Sequence, residues 1–174
     1  MTVAEEEIAS RELRNAAYHE AGHKILYEYF GGTGDAVVWR NESGNPEERA
    51  WFGQFRPRIC PEVMRDVALR CGTPARELPS NWRVLAGMAG LLAEEILDWA
   101  SGDIESFADG LLYRITSGEA SASDLKLMNI ADTGDCEVSF EDVGETVRIL
   151  REGWRGVLDE AEYLIAFAAT ESAR

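Results

Sequence analysis

The sequence predicts a mainly α-helical domain with one small β-ribbon after its first helix. Apolar residues recur at helical spacing along most of the chain, beginning with Ile8, Leu13, Ala16, Ala17, Ala21, Ile25, Leu26 and Tyr29. Two β-favouring runs, Ala36-Val37-Val38-Trp39 and Trp51-Phe52-Gly53-Gln54-Phe55, flank the turn-rich stretch Asn41-Glu42-Ser43-Gly44-Asn45-Pro46. At 174 residues and 45% apolar composition the chain is long enough for one real core, so residues 1–174 are expected to form a single domain.

Thr2 and Glu5 have capping-box spacing for the first helix, with Ser10 as a second possible start. Gly31-Gly32 suits its end. The two β-runs are read as a two- or three-stranded ribbon, whose edge would either cover the core or bind an extended peptide by strand addition. Pro61 fits the first position of a short helix that reaches Arg70 and stops at Gly72. After a polar connection from Thr73 to Pro79, Asn81 is expected to cap a helix carrying Val84, Leu85, Met88, Ala89, Leu91, Leu92, Ile96 and Leu97. Apolar on nearly all sides, this is a central buried helix. Glu94 and Glu95 lie in it, and an unpaired buried carboxylate is costly, so at least one should face solvent or a site.

Ile104, Phe107, Leu111, Leu112 and Ile115 mark a further helix closed by Gly118. Ser117 to Leu125 then opens a helix expected to continue through Met128, Ile130 and Ala131. Ser139 and Asp142 form a capping box for a last helix. Its seam Val143, Val147, Leu150, Trp154, Val157, Ala161, Leu164 and Ala168 alternates steps of four and three, and Gly144, Gly153 and Gly156 favour packing within the molecule over a coiled coil. Asp132, Asp135 and Glu137 lack calcium-loop spacing and read as a solvated turn.

A net charge of -15 without any basic run excludes nucleic acid as an expected partner. No stretch approaches the length of a membrane span, and the acidic start Met1 to Glu7 is unlike a secretory signal. Cys60, Cys71 and Cys136 lack CxxC pairing, which argues against disulfides and cysteine-held zinc and for a cytoplasmic setting.

The chemistry concentrates in His19-Glu20-Ala21-Gly22-His23, an HExxH sequence on the first helix that contains both histidines of the chain. Residues four apart share a helix face, so the two imidazoles can aim at one point while Glu20 stands beside it. Two helical histidines on zinc, with a carboxylate as general base, form the core of many metallopeptidases. A catalytic zinc needs a third ligand, here a carboxylate. Leu26 and Tyr29 occupy the positions of the metzincin Gly and His, which removes that class. A thermolysin-like scheme would use Glu94 or Glu95, whereas Glu47 and Glu48 after Pro46 look badly placed.

Ala17-Tyr18-His19-Glu20-Ala21-Gly22-His23 resembles the active-site helix of the FtsH family, zinc peptidase domains usually fused to an AAA ATPase. Gly90-Leu91-Leu92-Ala93-Glu94-Glu95-Ile96 is similar to that family's GRxAEEI helix. Ser117 to Leu125 is similar to its TGAxNDL segment, and the last helix resembles its C-terminal helix in place and character. Residues 31–83 show no match. The resemblance implies an FtsH-peptidase-like fold, zinc ligands His19, His23 and Asp124, Glu20 as general base, and Glu94 as a carboxylate partner of a ligand histidine. Asp124 also has capping-box spacing from Ser121, which by itself would account for it. Ser123 replaces the family's Asn, an additional helix over roughly 103–116 separates the second and third blocks, and no Walker GxxxxGK[ST] sequence occurs. The expectation is zinc-dependent hydrolysis of flexible or unfolded polypeptides, with substrates taken directly or delivered by a separate ATPase. The family's rings leave a homo-oligomer open. The competing expectation is an inactive, metal-stabilised scaffold or regulatory domain, and a third is hydrolysis of a non-peptide amide.

Overall fold

Helix α1 (Val3–Tyr29) runs 27 residues, roughly 40 Å at the usual rise per residue, and the molecule is assembled around it. The computed structural model describes residues 3–43, 45 and 48–171; Thr2, proposed above as a cap, lies outside them. Ser10 is inside α1 and starts nothing. Gly31 has φ +89°, a left-handed conformation, and lets the chain close a Schellman motif. The Gly32 N–H donates to Tyr27 O at 3.0 Å and the Gly31 N–H to Glu28 O at 2.9 Å.

The chain then forms β1 (Thr33–Arg40) and β2 (Trp51–Ile59), an antiparallel pair in which Ala36 faces Phe55 and Val38 faces Gly53. Both strands extend beyond the β-favouring runs, because the ladder holds residues such as Arg56 and Pro57 that have no β-preference of their own. Period-two alternation buries Gly34, Ala36 and Val38 of β1, and both strands pack on α1. The intervening turn lies partly outside the described residues; Glu48 accepts from Asn41 and Asn45 within it.

Helix α2 (Pro61–Arg70) follows and buries only Pro61. Helix α3 (Trp82–Asp98) is buried on nearly every side. Asn81 precedes it but makes no side-chain cap; its amide donates instead to Asp142 at 2.6 Å. Helices α4 (Ile104–Thr116) and α5 (Ala122–Leu127) are capped by Asp103 and Ser121. The expected continuation of α5 through Ala131 does not form, because Asn129 turns left-handed at φ 59°.

The last predicted helix is two, α6 (Phe140–Glu152) and α7 (Trp154–Glu171), broken at Gly153. A Cβ on Gly153 would stand 2.7 Å from Ile25 Cγ2, so the break is where α1 seats a side chain against backbone. The apolar seam survives the break: Val143, Val147 and Leu150 are buried on α6, and Val157, Ala161, Leu164 and Ala168 on α7. It packs within the chain, α6 against α3 and α4, α7 against α1. Each fully buried Leu or Val of this core contributes about 1.5–3 kcal/mol relative to exposure.

Small residues bring α1 and α3 close together. A Cβ on Gly22 would lie 2.6 Å from Ala93 Cβ and 2.7 Å from Ala89 O, so the two helices touch nearly backbone to backbone. The chain is thus mainly helical, with one two-stranded antiparallel sheet after the first helix. Among the described residues no helix is long and apolar enough to cross a membrane, and the three cysteines are free.

Candidate metal centre

The α1–α3 contact sets the position of the two histidines. His19 and His23 leave α1 on one face, toward α3, where Gly90 makes room for them; a Cβ at Gly90 would meet both Nε2 atoms at 2.5 Å. Their far ring nitrogens are committed. His19 Nδ1 donates to Glu94 Oε1 at 2.7 Å and His23 Nδ1 donates to Ala86 O at 2.9 Å. A carbonyl can only accept, so neutral His23 presents Nε2 as a lone pair, and the same holds for neutral His19.

Those two Nε2 atoms are 3.1 Å apart. Asp124 closes a triangle with them: Oδ1 is 3.2 Å from His23 Nε2 and Oδ2 is 3.4 Å from His19 Nε2. Three electron-pair donors this close repel unless something positive sits among them. Ligands on a tetrahedral zinc stand roughly 3.3 Å apart, given metal–ligand lengths of about 2.0–2.2 Å. His19, His23 and Asp124 are also the group of His, Cys, Asp and Glu among the described residues that converges tightly enough to hold an ion. The donor set, two imidazoles and one carboxylate, fits a borderline metal such as zinc.

The electrostatics agree. Burial pulls the His19 imidazole down, but hydrogen bonds to Asp124 and Glu94 outweigh it and hold the pKa up at about 10. Burial pushes Asp124 up, and its bonds to the two histidines overcome that, holding the carboxyl well below the usual carboxylate range. In a metal-free site a proton on His19 therefore supplies the positive charge. Glu94 is likewise pushed up by burial and brought below its ordinary value by His19 and Arg114.

The capping role considered for Asp124 is real and coexists with its place in the triangle. Ser121 Oγ accepts from the Asp124 N–H at 3.1 Å and donates to Asp124 Oδ2 at 2.7 Å. With Asp124 only 4% exposed, the cap fixes the carboxylate against the histidines. Glu94 and Glu95, the other carboxylates considered for the third position, do not join the group. Glu94 touches the Nδ1 side of His19, and Glu95 lies toward Arg114 at 3.8 Å. Glu48 is spent in its turn, and Glu47 lies outside the described residues.

Glu20 stands one residue from His19 and lines the same cleft of about 460 Å³, together with Trp51, Phe52 and Gly53. Burial raises its carboxyl pKa against the opposing pull of His19 and His23, and the backbone of Phe55 hydrogen-bonds to it. A Cβ at Gly53 would sit 2.6 Å from Glu20 Oε1, so β2 runs directly over the carboxylate. Trp51, Phe52 and Gly53, from the stretch without a family match, thus build the wall beside Glu20.

Sequence reasoning missed Gly90, the Ala86 carbonyl and Arg114. Arg114 donates to Glu94 Oε2 at 2.7 Å and to Glu119 Oε2 at 2.9 Å. An arginine between the buried Leu111 and Ile115 was a legible signal, since a guanidinium enters a core only with partners. Gly90 opens the block similar to GRxAEEI, but a glycine in a helix says nothing of which side chain it faces. No protein-family model and no curated protein sequence matches the chain.

Proposed function

We propose that this chain is a zinc-dependent peptidase domain of the FtsH type, acting on flexible or unfolded polypeptide. The observation that carries the reading is the triangle of His19 Nε2, His23 Nε2 and Asp124 carboxylate, with sides of 3.1, 3.2 and 3.4 Å, beside a buried Glu20. The sequence resemblance supports it independently, since Asp124 was named as third ligand from that resemblance and lies beside both histidines.

His19, His23 and Asp124 would hold the zinc, and Glu94 and the Ala86 carbonyl keep both imidazoles turned toward it. Bound there, zinc supplies Lewis acidity toward water and the scissile carbonyl. Glu20 takes the proton of the attacking water on its carboxylate and returns it to the leaving amine. Burial raises its pKa above the ordinary carboxylate value, the direction that favours accepting a proton. The hydrogen bond from the Phe55 backbone holds the carboxylate in place. Strand β2 pairs only with β1 among the described residues, so its other edge offers main-chain groups to an extended peptide next to Glu20. Such an edge selects extended chain over folded protein, which supports flexible substrates, presented directly or by a separate ATPase.

The test is zinc content together with casein cleavage for wild type, Glu20→Gln and Asp124→Ala. The proposal expects Glu20→Gln to keep zinc and lose cleavage, and Asp124→Ala to lose both. Zinc binding by the wild type without cleavage of any unfolded substrate would move the assignment to a metal-stabilised scaffold, for which the covering of Glu20 by β2 is the supporting observation.

A further inference from the structure

We propose that Arg114 is the positioning residue that sets the metal affinity of this site, by tying α3, whose Glu94 orients His19, to the turn that leads into the Asp124 helix. The inference rests on the metal reading above and adds a residue with no place in the ligand set or in the acid–base chemistry.

Arg114 belongs to α4, the helix where the chain departs from the FtsH spacing. Its side chain is 13% exposed, so its charge needs partners, and it has them in two directions. Toward α3, Nη2 donates to Glu94 Oε2 at 2.7 Å and Nη1 to Leu91 O at 3.3 Å. Toward the turn after α4, Nε donates to Glu119 Oε2 at 2.9 Å, while the Arg114 carbonyl accepts from the Glu119 N–H at 2.9 Å.

One direction reaches a ligand through a hydrogen bond, and the other reaches the turn that leads to a ligand. Glu94 divides its oxygens, Oε2 to Arg114 and Oε1 to His19 Nδ1, so fixing one oxygen fixes the plane that orients the imidazole. Glu119 is two residues before Ser121, whose hydroxyl holds Asp124 Oδ2. Gly118, at φ +81°, makes the sharp turn that returns Glu119 to Arg114. One guanidinium therefore spans the α3 side, which aims His19, and the α4–α5 turn, which presents Asp124. His23 is held separately by the Ala86 carbonyl.

The work is geometric. Nε and Nη2 address two carboxylates from one rigid plane, and the compact ammonium of lysine cannot reproduce that fork although it keeps the charge. Loss of such supporting contacts weakens metal binding by roughly 10–100-fold. A general electrostatic role would be restored by lysine, and a clamp would not.

The test is zinc affinity of the full chain, measured by competition with a chromogenic chelator, alongside the visible spectrum of the cobalt-loaded protein. Wild type, Arg114→Lys, Glu119→Gln and Asp124→Ala are compared, with circular-dichroism melts of the metal-free proteins. The expected result is a cooperative melt for Arg114→Lys, a 10–100-fold loss of zinc affinity and altered cobalt bands. Glu119→Gln is expected to lose several-fold, and Asp124→Ala nearly all binding. Arg114→Lys with wild-type affinity and spectrum, while Asp124→Ala binds nothing, would overturn the clamp and leave the metal site standing. Should Arg114→Lys not fold, the partly exposed Glu119→Gln decides, and wild-type affinity there overturns the clamp. A wild type that binds neither zinc nor cobalt would sink the metal reading and the clamp with it, recognisable because Asp124→Ala would then match wild type.

Discussion

Gly90→Ala adds a single methyl group at the point where the geometry of the candidate metal site is tightest. Its Cβ would lie 2.5 Å from both His19 Nε2 and His23 Nε2 and 2.6 Å from His19 Cδ2. Ordinary contact begins near 3.4 Å, so each imidazole must retreat by about 0.9 Å. Metal–ligand lengths tolerate only about ±0.2 Å, so displacement of both histidines destroys the triangle. The fold should survive, because alanine is about 1 kcal/mol better than glycine within a helix and offsets part of an overpacking cost of about 1–3 kcal/mol. The expected outcome is a metal-free melting temperature within a few degrees of wild type and a loss of zinc affinity of at least about 100-fold, or ~2.7 kcal/mol. Isothermal titration with zinc reads the second quantity and a melt the first. Wild-type zinc affinity in Gly90→Ala would refute the reasoning, since the metal would then not lie where the two Nε2 atoms converge.

Glu20→Gln should keep zinc and lower the rate of cleavage of a fluorogenic unfolded peptide by about 10²–10⁴-fold, the usual worth of a general base; a smaller loss at full zinc occupancy would count against that role. Zinc at about 100 times its Kd adds ~2.7 kcal/mol to stability, which for a domain of this size raises the wild-type melting temperature by about 5–10 °C. Asp124→Ala should show almost none of this rise in calorimetry, and an equal rise would remove Asp124 from the ligand set. The raised pKa of His19, about 10, means that the metal-free fold holds a proton there which zinc must displace. Apparent zinc affinity should therefore climb about tenfold per pH unit between pH 7 and 9, with about one proton released in titrations across buffers of different ionisation heat. The signs for the metal-free protein follow from linkage: the His19 contribution is complete below about pH 6.5 and lost as pH rises toward 10. The Asp124 contribution, from a lowered pKa, is present above about pH 4 and lost on further acidification. Pre-melting stability of the metal-free chain that rises from pH 7 to 10 would contradict the His19 assignment.

The helices were legible in the sequence because most carry their own punctuation. Pro61, Ser121 and Ser139 mark starts, and Gly31, Gly72 and Gly118 adopt the left-handed conformation their positions suggested. Where expectation failed, a tertiary contact decided. Gly153 splits an otherwise continuous apolar seam because Ile25 of α1 needs the space, and a seam read along one helix does not contain that information. Asn81 gives up its cap because Asp142, 61 positions on, is a better partner. In the site, HExxH is local and needs only the helix period, whereas Asp124 is more than 100 residues away and entered through family resemblance. Its capping and facing roles are compatible: its N–H and Oδ2 meet Ser121, while Oδ1 faces His23 and Oδ2 lies beside His19. The supporting layer was hardest to foresee. Glu94 was expected as a partner of a histidine and is one, but the arginine holding it comes from a helix outside the blocks that carry the sequence resemblance.

The central claim is that His19, His23 and Asp124 bind one zinc ion between them. Anomalous diffraction from crystals of the zinc-loaded protein, recorded on both sides of the zinc absorption edge, tests it directly. The account predicts one strong anomalous peak per chain, about 2.0–2.2 Å from His19 Nε2, His23 Nε2 and an Asp124 oxygen. A peak held by other side chains, or none at this site in a crystal grown with excess zinc, would contradict it.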